Sequence, residues 1–155
     1  MPAIFEWTET NGAPPGTTTL ALANVNFGGI DAPNLASPNN RVIAGQNSFE
    51  KWLRGRFSGT FTTIDNLRFF KSAGTLPANA FIKAAVNAAY AAPTNAASAV
   101  AVADVPTTEA GALAPSAPGA SPSFSGYITL QMQTTSAAAY GAVPTQTFTL
   151  KYDEI

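Results

Sequence analysis

The sequence contains no cysteine and no histidine. Without cysteine, the chain has no disulfides, thiolate nucleophiles, iron–sulfur clusters or cysteine-ligated zinc sites. Without histidine, it lacks the usual general base near neutral pH and the commonest transition-metal ligand. Catalysis would have to rely on carboxylates, lysine, tyrosine or serine alone. We therefore expect a protein that is not an enzyme and that uses no cofactor and no metal.

Charge is also scarce. Eight Lys and Arg against nine Asp and Glu give a formal net charge of −1, and 11% of the residues are charged, compared with about 25% in an average soluble domain. A weakly charged surface lowers the electrostatic cost of packing subunits side by side. The composition therefore favours self-assembly or membership of a larger complex over a monomer of low charge.

Long hydrophobic runs are missing too. The longest nearly apolar run, 96–105, contains Ser98 and Asp104, whereas a membrane-spanning helix needs about 20 apolar residues. The first six residues have neither a basic stretch nor a hydrophobic signal core, so we expect no membrane partner and no secretion. The 155 residues fit one domain that can bury a core without covalent staples.

Alternation of apolar and polar residues predicts β-strands along most of the chain. In 47–61, Phe49, Leu53 and Phe57 share one parity, and threonines and glycines favour a strand over a helix with the same four-residue spacing. Residues 81–90 are ambiguous, because their alanines favour a helix while their alternation favours a strand. We prefer the strand, since its neighbours are strands and Pro93 follows. The other predicted strands are 4–7 and 17–27, which form a hairpin, and 64–72, 127–133 and 145–155.

The segment 91–126 differs from the rest in being rich in Ala, Pro, Ser, Thr and Gly. We expect it to be a long loop or arm, exposed or laid along a partner, with a short strand at 99–105 as one option. Seven or so strands without βα alternation predict a single domain spanning 1–155. The predicted fold is mainly β: an antiparallel β-sandwich or jelly roll with a long Ala/Pro-rich loop.

The charged residues offer one candidate site. The nine acidic residues select neither a glycosidase pair nor a calcium loop, so we interpret them as solvated loop carboxylates. Alternation places Trp52, Arg54 and Arg56 on one strand face, and Arg68 and Phe70 on the outward face of the next strand. Because Trp and Arg are frequent binding hot spots, these five residues form the candidate protein interface. Two alternatives remain: arginine stacked on tryptophan at a solvated strand face, and single-stranded nucleic acid, against which a pI near 5.2 argues.

Four blocks of the sequence resemble a known group of proteins. The group consists of small structural proteins encoded among the head genes of tailed bacteriophages. The blocks are 47–61 (NSFEKWLRGRFSGTF), 64–74 (IDNLRFFKSAG), 127–135 (YITLQMQTT) and 147–155 (TFTLKYDEI). The resemblance carries no catalytic motif. It implies a virion protein, either a capsid decoration (cement) protein that stabilises the shell or a neck or tail component.

This resemblance also implies partners and a location. A decoration protein binds the major capsid protein or other virion subunits through buried area and added strands. Lattice symmetry predicts a homo-oligomer, either a trimer or a dimer. We expect synthesis in the host cytoplasm, residence at the capsid surface and no nucleic-acid partner. A different candidate is a tail-tip receptor- or carbohydrate-binding module in which exposed Trp52, Tyr90 and Tyr140 stack on sugars.

Overall fold

The structure of the protein, a computed structural model, describes residues 2–36, 39–139 and 141–155. The chain is mainly β, with antiparallel sheets as the alternation predicts. A single turn of 3-10 helix lies at Glu109–Gly111. The strands are β1 (Ala3–Asn11), β2 (Thr17–Thr19), β3 (Lys51–Gly59), β4 (Ile64–Ala73), β5 (Ala80–Asn87), β6 (Ala103–Asp104), β7 (Ser123–Phe124), β8 (Tyr127–Thr134) and β9 (Thr147–Glu154).

The strands form two sheets. The larger sheet has the order β2-β1-β3-β8-β5-β6, and β7 pairs with β3 beside β8. Ser125 and Gly126 separate β7 from β8, and the Ser125 hydroxyl accepts a hydrogen bond from the backbone N–H of Gly55. The second sheet consists of β4 and β9, whose pairing contains two irregularities. No helix in the described part of the chain is long and apolar enough to cross a membrane.

The core lies between the two sheets. Leu53, Ile82 and Leu130 of the larger sheet pack with Phe69 of β4 and the partly buried Phe148 of β9. A second cluster joins Phe57 of β3 to Ile64 and Leu67 of β4. These are the inward parities that alternation predicts for β3, β4 and β8. Burial of these side chains is the main favourable contribution to folding.

Gly55 illustrates how closely the core packs against β3. A Cβ atom at this position would lie 2.7 Å from the ring of Phe5 on the neighbouring strand, and 3.1 Å from Leu150 of the facing sheet. The absence of a side chain therefore lets the Phe5 ring lie against the β3 backbone, which is a common role of glycine within a strand.

Two strand predictions have clear outcomes. Residues 81–90 are a strand over Ala80–Asn87 and not a helix, because hydrogen bonding to β8 outweighs the helix propensity of the alanines. The predicted strand 17–27 is wrong beyond Thr19. There the chain leaves the ladder at Ala21, which has a φ of 50°, and the Asn34 side chain accepts hydrogen bonds from the backbone of Ala23 and Asn24.

The segment 91–126 contains β6, β7 and the 3-10 turn, and parts of it lie on the chain's own sheets. Leu113 and Phe69 exchange two backbone hydrogen bonds along the edge of β4. Val105 belongs to the main core cluster. The backbone N–H of Ser98 donates to the side chain of Gln131 on β8. The segment therefore contributes to the packing of the sandwich at three places.

Candidate protein-binding surface

Trp52 lies on the outer face of β3, as predicted, but it is only 2% exposed. Its ring makes edge-on contacts with Tyr90 and Tyr127, at centroid distances of 5.4 and 5.7 Å. Its indole N–H donates to a carboxylate oxygen of Glu50 at 3.0 Å. The ring is thus covered by the chain itself and does not form part of an exposed interface. It is likewise not free to stack on a sugar.

Arg54, the next outward residue of β3, lies between two aromatic rings. Its guanidinium carbon is 4.3 Å from the ring centroids of both Phe124 and Tyr127. The alternative prediction of arginine stacked on tryptophan is therefore wrong about the partner, because the guanidinium stacks on Phe124 and Tyr127 instead. Arg56 forms an ion pair with Glu6 of the neighbouring β1. Both arginines already have partners within the chain.

The remaining two candidate residues lie on the other sheet. Arg68 contacts carboxylates of Glu109 at 3.2 Å and of Asp153 at 3.4 Å, and it stays partly exposed. Phe70 is only 8% exposed. The five predicted residues therefore occupy the outer faces of two different sheets. Of the five, Arg54, Arg56 and Arg68 combine partial exposure with the charge needed for contact with a partner, and their role in an interface stays a prediction.

The outer face of the larger sheet is covered by the chain around residues 90–101. The side chain of Gln131, fully buried, accepts from the N–H of Ser98 and donates to the carbonyls of Ser48 and Ala96. One glutamine therefore joins two separate stretches of chain to β8. Such a buried amide is costly unless it is hydrogen-bonded, so its bonds fix the position of this cover.

Tyr90 lies at one end of this cover, the chain around residues 90–101 that lies on the outer face of the larger sheet. Its hydroxyl donates to the carbonyl of Gly12 at 2.6 Å. Burial, followed by the negative charge of Asp31, raises the pKa of Tyr90 above its ordinary value. Tyr140, the third residue considered for sugar stacking, lies outside the described residues.

A buried ionic cluster lies where β1 ends and β3 begins. Lys51 donates to a carboxylate oxygen of Glu9 at 2.9 Å, and their side chains are 1% and 0% exposed. Asn11 donates to the same oxygen of Glu9 at 2.8 Å and to Asp31 at 2.6 Å. We refer to Glu9, Asn11, Asp31 and Lys51 as the Lys51 cluster.

Sequence reasoning missed the Lys51 cluster. The interpretation of every carboxylate as solvated is wrong for Glu9, and also for Glu50, which is 3% exposed. A signal was present: Glu9 shares its parity with Phe5 and Trp7, and Lys51 shares its parity with Leu53. A charged residue at a core parity of a strand indicates a buried pair, because an unpaired charge there would be too costly.

Among the described residues, one hydrogen-bonding edge of β9 has no partner strand. Within the described part of the chain, the backbone of β9 and Ile155 pairs with β4 and with Thr62 and Thr63. Large apolar side chains are also exposed around the molecule: Ile4, Leu20, Ile30, Ile43, Phe81, Val86, Val100, Val102, Val143 and Ile155. These features suit association with another protein surface.

One surface depression among the described residues is small. A depression lined by Val86, Asn87, Ala88 and Ser116 has a volume of about 130 Å³, below the roughly 300–1,000 Å³ of ligand pockets. In residues 2–36, 39–139 and 141–155, no three acidic side chains are grouped so as to hold a metal ion.

No protein-family model, curated protein or solved structure matches the chain.

Proposed function

We propose that the protein is a structural subunit of a tailed-phage particle, namely a capsid decoration protein that binds the shell and stabilises it by protein–protein contacts. The phage context comes from the resemblance of the strand blocks. The observation that carries the binding role is the open edge of β9, an eight-residue strand with one partner strand among the described residues. Edge strands of this kind accept an added strand from another chain.

The register identifies which backbone groups this edge offers. Phe69 of β4 exchanges both of its backbone hydrogen bonds with Leu113, on the side away from β9. The facing pair Phe69–Leu150 is therefore a non-hydrogen-bonded pair. Leu150 consequently points its N–H and C=O away from β4, and Phe148 does the same two residues earlier. A partner strand would bond to these groups.

Low charge supports the same role. A decoration protein is packed against a lattice of subunits, and a net charge of −1 keeps the repulsion between copies small. The exposed apolar side chains supply area to bury at such contacts.

Mass spectrometry of purified particles tests the function. A decoration protein is expected at a copy number comparable with that of the main shell protein. A copy number of a few to about a dozen would instead indicate a neck or tail component, the second candidate from the same resemblance. Absence from purified particles would contradict both.

Hydrogen exchange tests the binding edge separately. Shells lacking the protein are mixed with it, and amide exchange is compared between free and bound chain. We expect the amides of Phe148 and Leu150 to exchange quickly when free and slowly when bound. The amides of Thr149 and Lys151, which face β4 in the register, are matched controls and should be slow in both states. Binding without protection of Phe148 and Leu150 would show that another surface is used.

A further inference from the structure

The Lys51 cluster brings a nucleophile, an electrophile and a proton carrier together. The register that pairs Thr10 with Trp52 places Asn11 and Lys51 opposite each other one step further along the ladder. Side chains in such cross-strand pairs start about 4.5–5.5 Å apart at their Cβ atoms. The Lys51 ammonium and the Asn11 amide nitrogen both donate to the same Glu9 oxygen, at 2.9 and 2.8 Å.

We propose that Lys51 and Asn11 react to form an intramolecular amide (isopeptide) bond, with Glu9 carrying the protons. In this arrangement Glu9 contacts both reacting nitrogen atoms. Two oxygens of the cluster, Glu9 Oε2 and Asn11 Oδ1, are buried and have no hydrogen-bond partner among the described residues. Buried polar oxygens without a partner are uncommon in folded proteins, and each calls for an explanation.

The reaction can be written with every atom accounted for. Lys51 passes one proton along its hydrogen bond to Glu9, which removes both buried charges and leaves a free amine. The lone pair of Nζ attacks Cγ of Asn11 and forms the new C–N bond. Glu9 gives its proton to Nδ2 and takes a second proton from Nζ, and the Cγ–Nδ2 bond breaks as the tetrahedral carbon returns to a carbonyl. The products are a secondary amide, ammonia and Glu9 holding the proton taken from Nζ, so no unpaired charge is left in the interior.

Neighbouring groups hold the reactants in place. The Lys51 ammonium also donates to the carbonyl of Ala32 at 2.8 Å. Asp31 accepts from the Asn11 amide at 2.6 Å and from the Gly12 backbone N–H at 2.8 Å. Two fixed contacts on each reactant supply the proximity that makes such a step fast within a folded chain. Asp31 acts here as a positioning residue.

Intact-mass spectrometry of the purified, folded chain tests the proposal. The expected mass is lower than that of the sequence by one ammonia molecule. Digestion with trypsin should yield residues 1–41 joined to residues 42–54, because an acylated Lys51 is not cleaved. An unshifted mass would overturn the proposal. Loss of one water would also overturn it, since it would indicate that a carboxylate, such as that of Asp31 or Glu9, is the acceptor.

Ammonia can also be lost through a second reaction at Asn11, which has to be distinguished from the cross-link. Asn11 precedes Gly12, and Asn-Gly sequences form succinimides when the glycine nitrogen attacks the asparagine side chain. That nitrogen is engaged with Asp31 here, which opposes this side reaction. The Lys51→Arg variant distinguishes the two, because it abolishes the isopeptide and leaves the succinimide. Ammonia loss that persists in Lys51→Arg would overturn the proposal.

Two further variants test the roles of the other residues. Glu9→Gln keeps the size of the side chain but cannot accept the proton, so the full mass is expected, with circular dichroism confirming that the variant is folded. Asn11→Asp should lose water instead of ammonia, and its product should have the same mass as cross-linked wild type. Lys83→Arg, at the exposed pair with Asp104, is the matched control and should retain the ammonia loss. If the wild type shows no mass shift and Asn11→Asp shows no loss of water, the reaction does not take place. This conclusion holds whether or not Glu9→Gln folds.

Discussion

Two of the charged groups in this protein, one around Lys51 and one around Glu109, lie in opposite environments. Glu9 and Lys51 pair at the end of the larger sheet with almost no exposure. Glu109 lies on the outer face of the smaller sheet, where it contacts Arg68 and Lys151, and all three side chains are about 40 to 50% exposed. An exposed pair exchanges water for a partner and gains little, whereas a buried pair cannot lose one member without leaving a charge in the interior. Burial, and not the number of contacts, therefore determines how much each group contributes to stability.

Removing one member of the buried pair should have the largest effect. Lys51→Met leaves Glu9 uncompensated in the interior, and we expect a loss of about 3–5 kcal/mol in the free energy of unfolding. Urea denaturation followed by tryptophan fluorescence measures the change.

The matched control is Lys83→Met, which breaks the exposed pair with Asp104 and should cost no more than about 1 kcal/mol. The double variant Glu9→Leu/Lys51→Met should recover part of the loss, since it removes both buried charges. Equal losses for Lys51→Met and Lys83→Met would contradict the distinction between the two environments.

Loss of a buried polar contact that carries no charge should have the next largest effect on stability. Gln131→Ala would leave the N–H of Ser98 and the carbonyls of Ser48 and Ala96 without their partner. The expected cost is about 2–3 kcal/mol, because each unsatisfied buried group carries a desolvation penalty. Amide hydrogen exchange should rise at Ser98 and Ala101, where the cover over β8 loosens. Gln46→Ala, at an exposed position, is the control and should leave both stability and exchange unchanged.

Alternation predicted the strands and their inward faces well, because each inward position has the same requirement for burial. Leu53 and Leu67 could be assigned from local sequence alone. The exposure of the outward-facing side chains could not be predicted in this way. Trp52 is covered by Tyr90 and Tyr127, which follow it by 38 and 75 residues, and the parity of a strand gives no information about such distant chain. The predicted interface was therefore correct about faces and wrong about the exposure of Trp52 and Phe70.

The Lys51 cluster was missed for a different reason. Its four members come from two strands and from the irregular stretch after β2, so no spacing in the sequence unites them. The parity of Glu9 and Lys51 did mark two charges at core positions. It could not reveal that they meet, because that depends on the register between β1 and β3.

Tyr90 links the cover to the Lys51 cluster and should respond to alkaline pH. Its pKa is raised, chiefly by burial, from an ordinary value of 10.0. The unfolded chain therefore loses this proton at lower pH than the folded chain, and stability should fall as pH rises above 10.0. Tyr90→Phe should lose about 1 kcal/mol at neutral pH with the hydrogen bond to Gly12. It should also show a shallower alkaline decline in the urea midpoint. Parallel curves for variant and wild type would contradict this role.

The smallest effect is expected at Glu109. A hydrogen bond from Lys151, reinforced by the positive charges of Lys151 and Arg68, lowers the pKa of Glu109 below its ordinary value of 4.5. The carboxylate therefore stabilises the folded chain above pH 4.5, and this contribution disappears as pH falls through the lowered value. Glu109→Gln should melt slightly below wild type at neutral pH and together with it in strong acid. High salt should remove the neutral-pH difference, because the group is exposed. A difference in melting temperature that survives high salt would mean that this network is shielded from solvent like the Lys51 cluster, and the contrast between the two groups would fail.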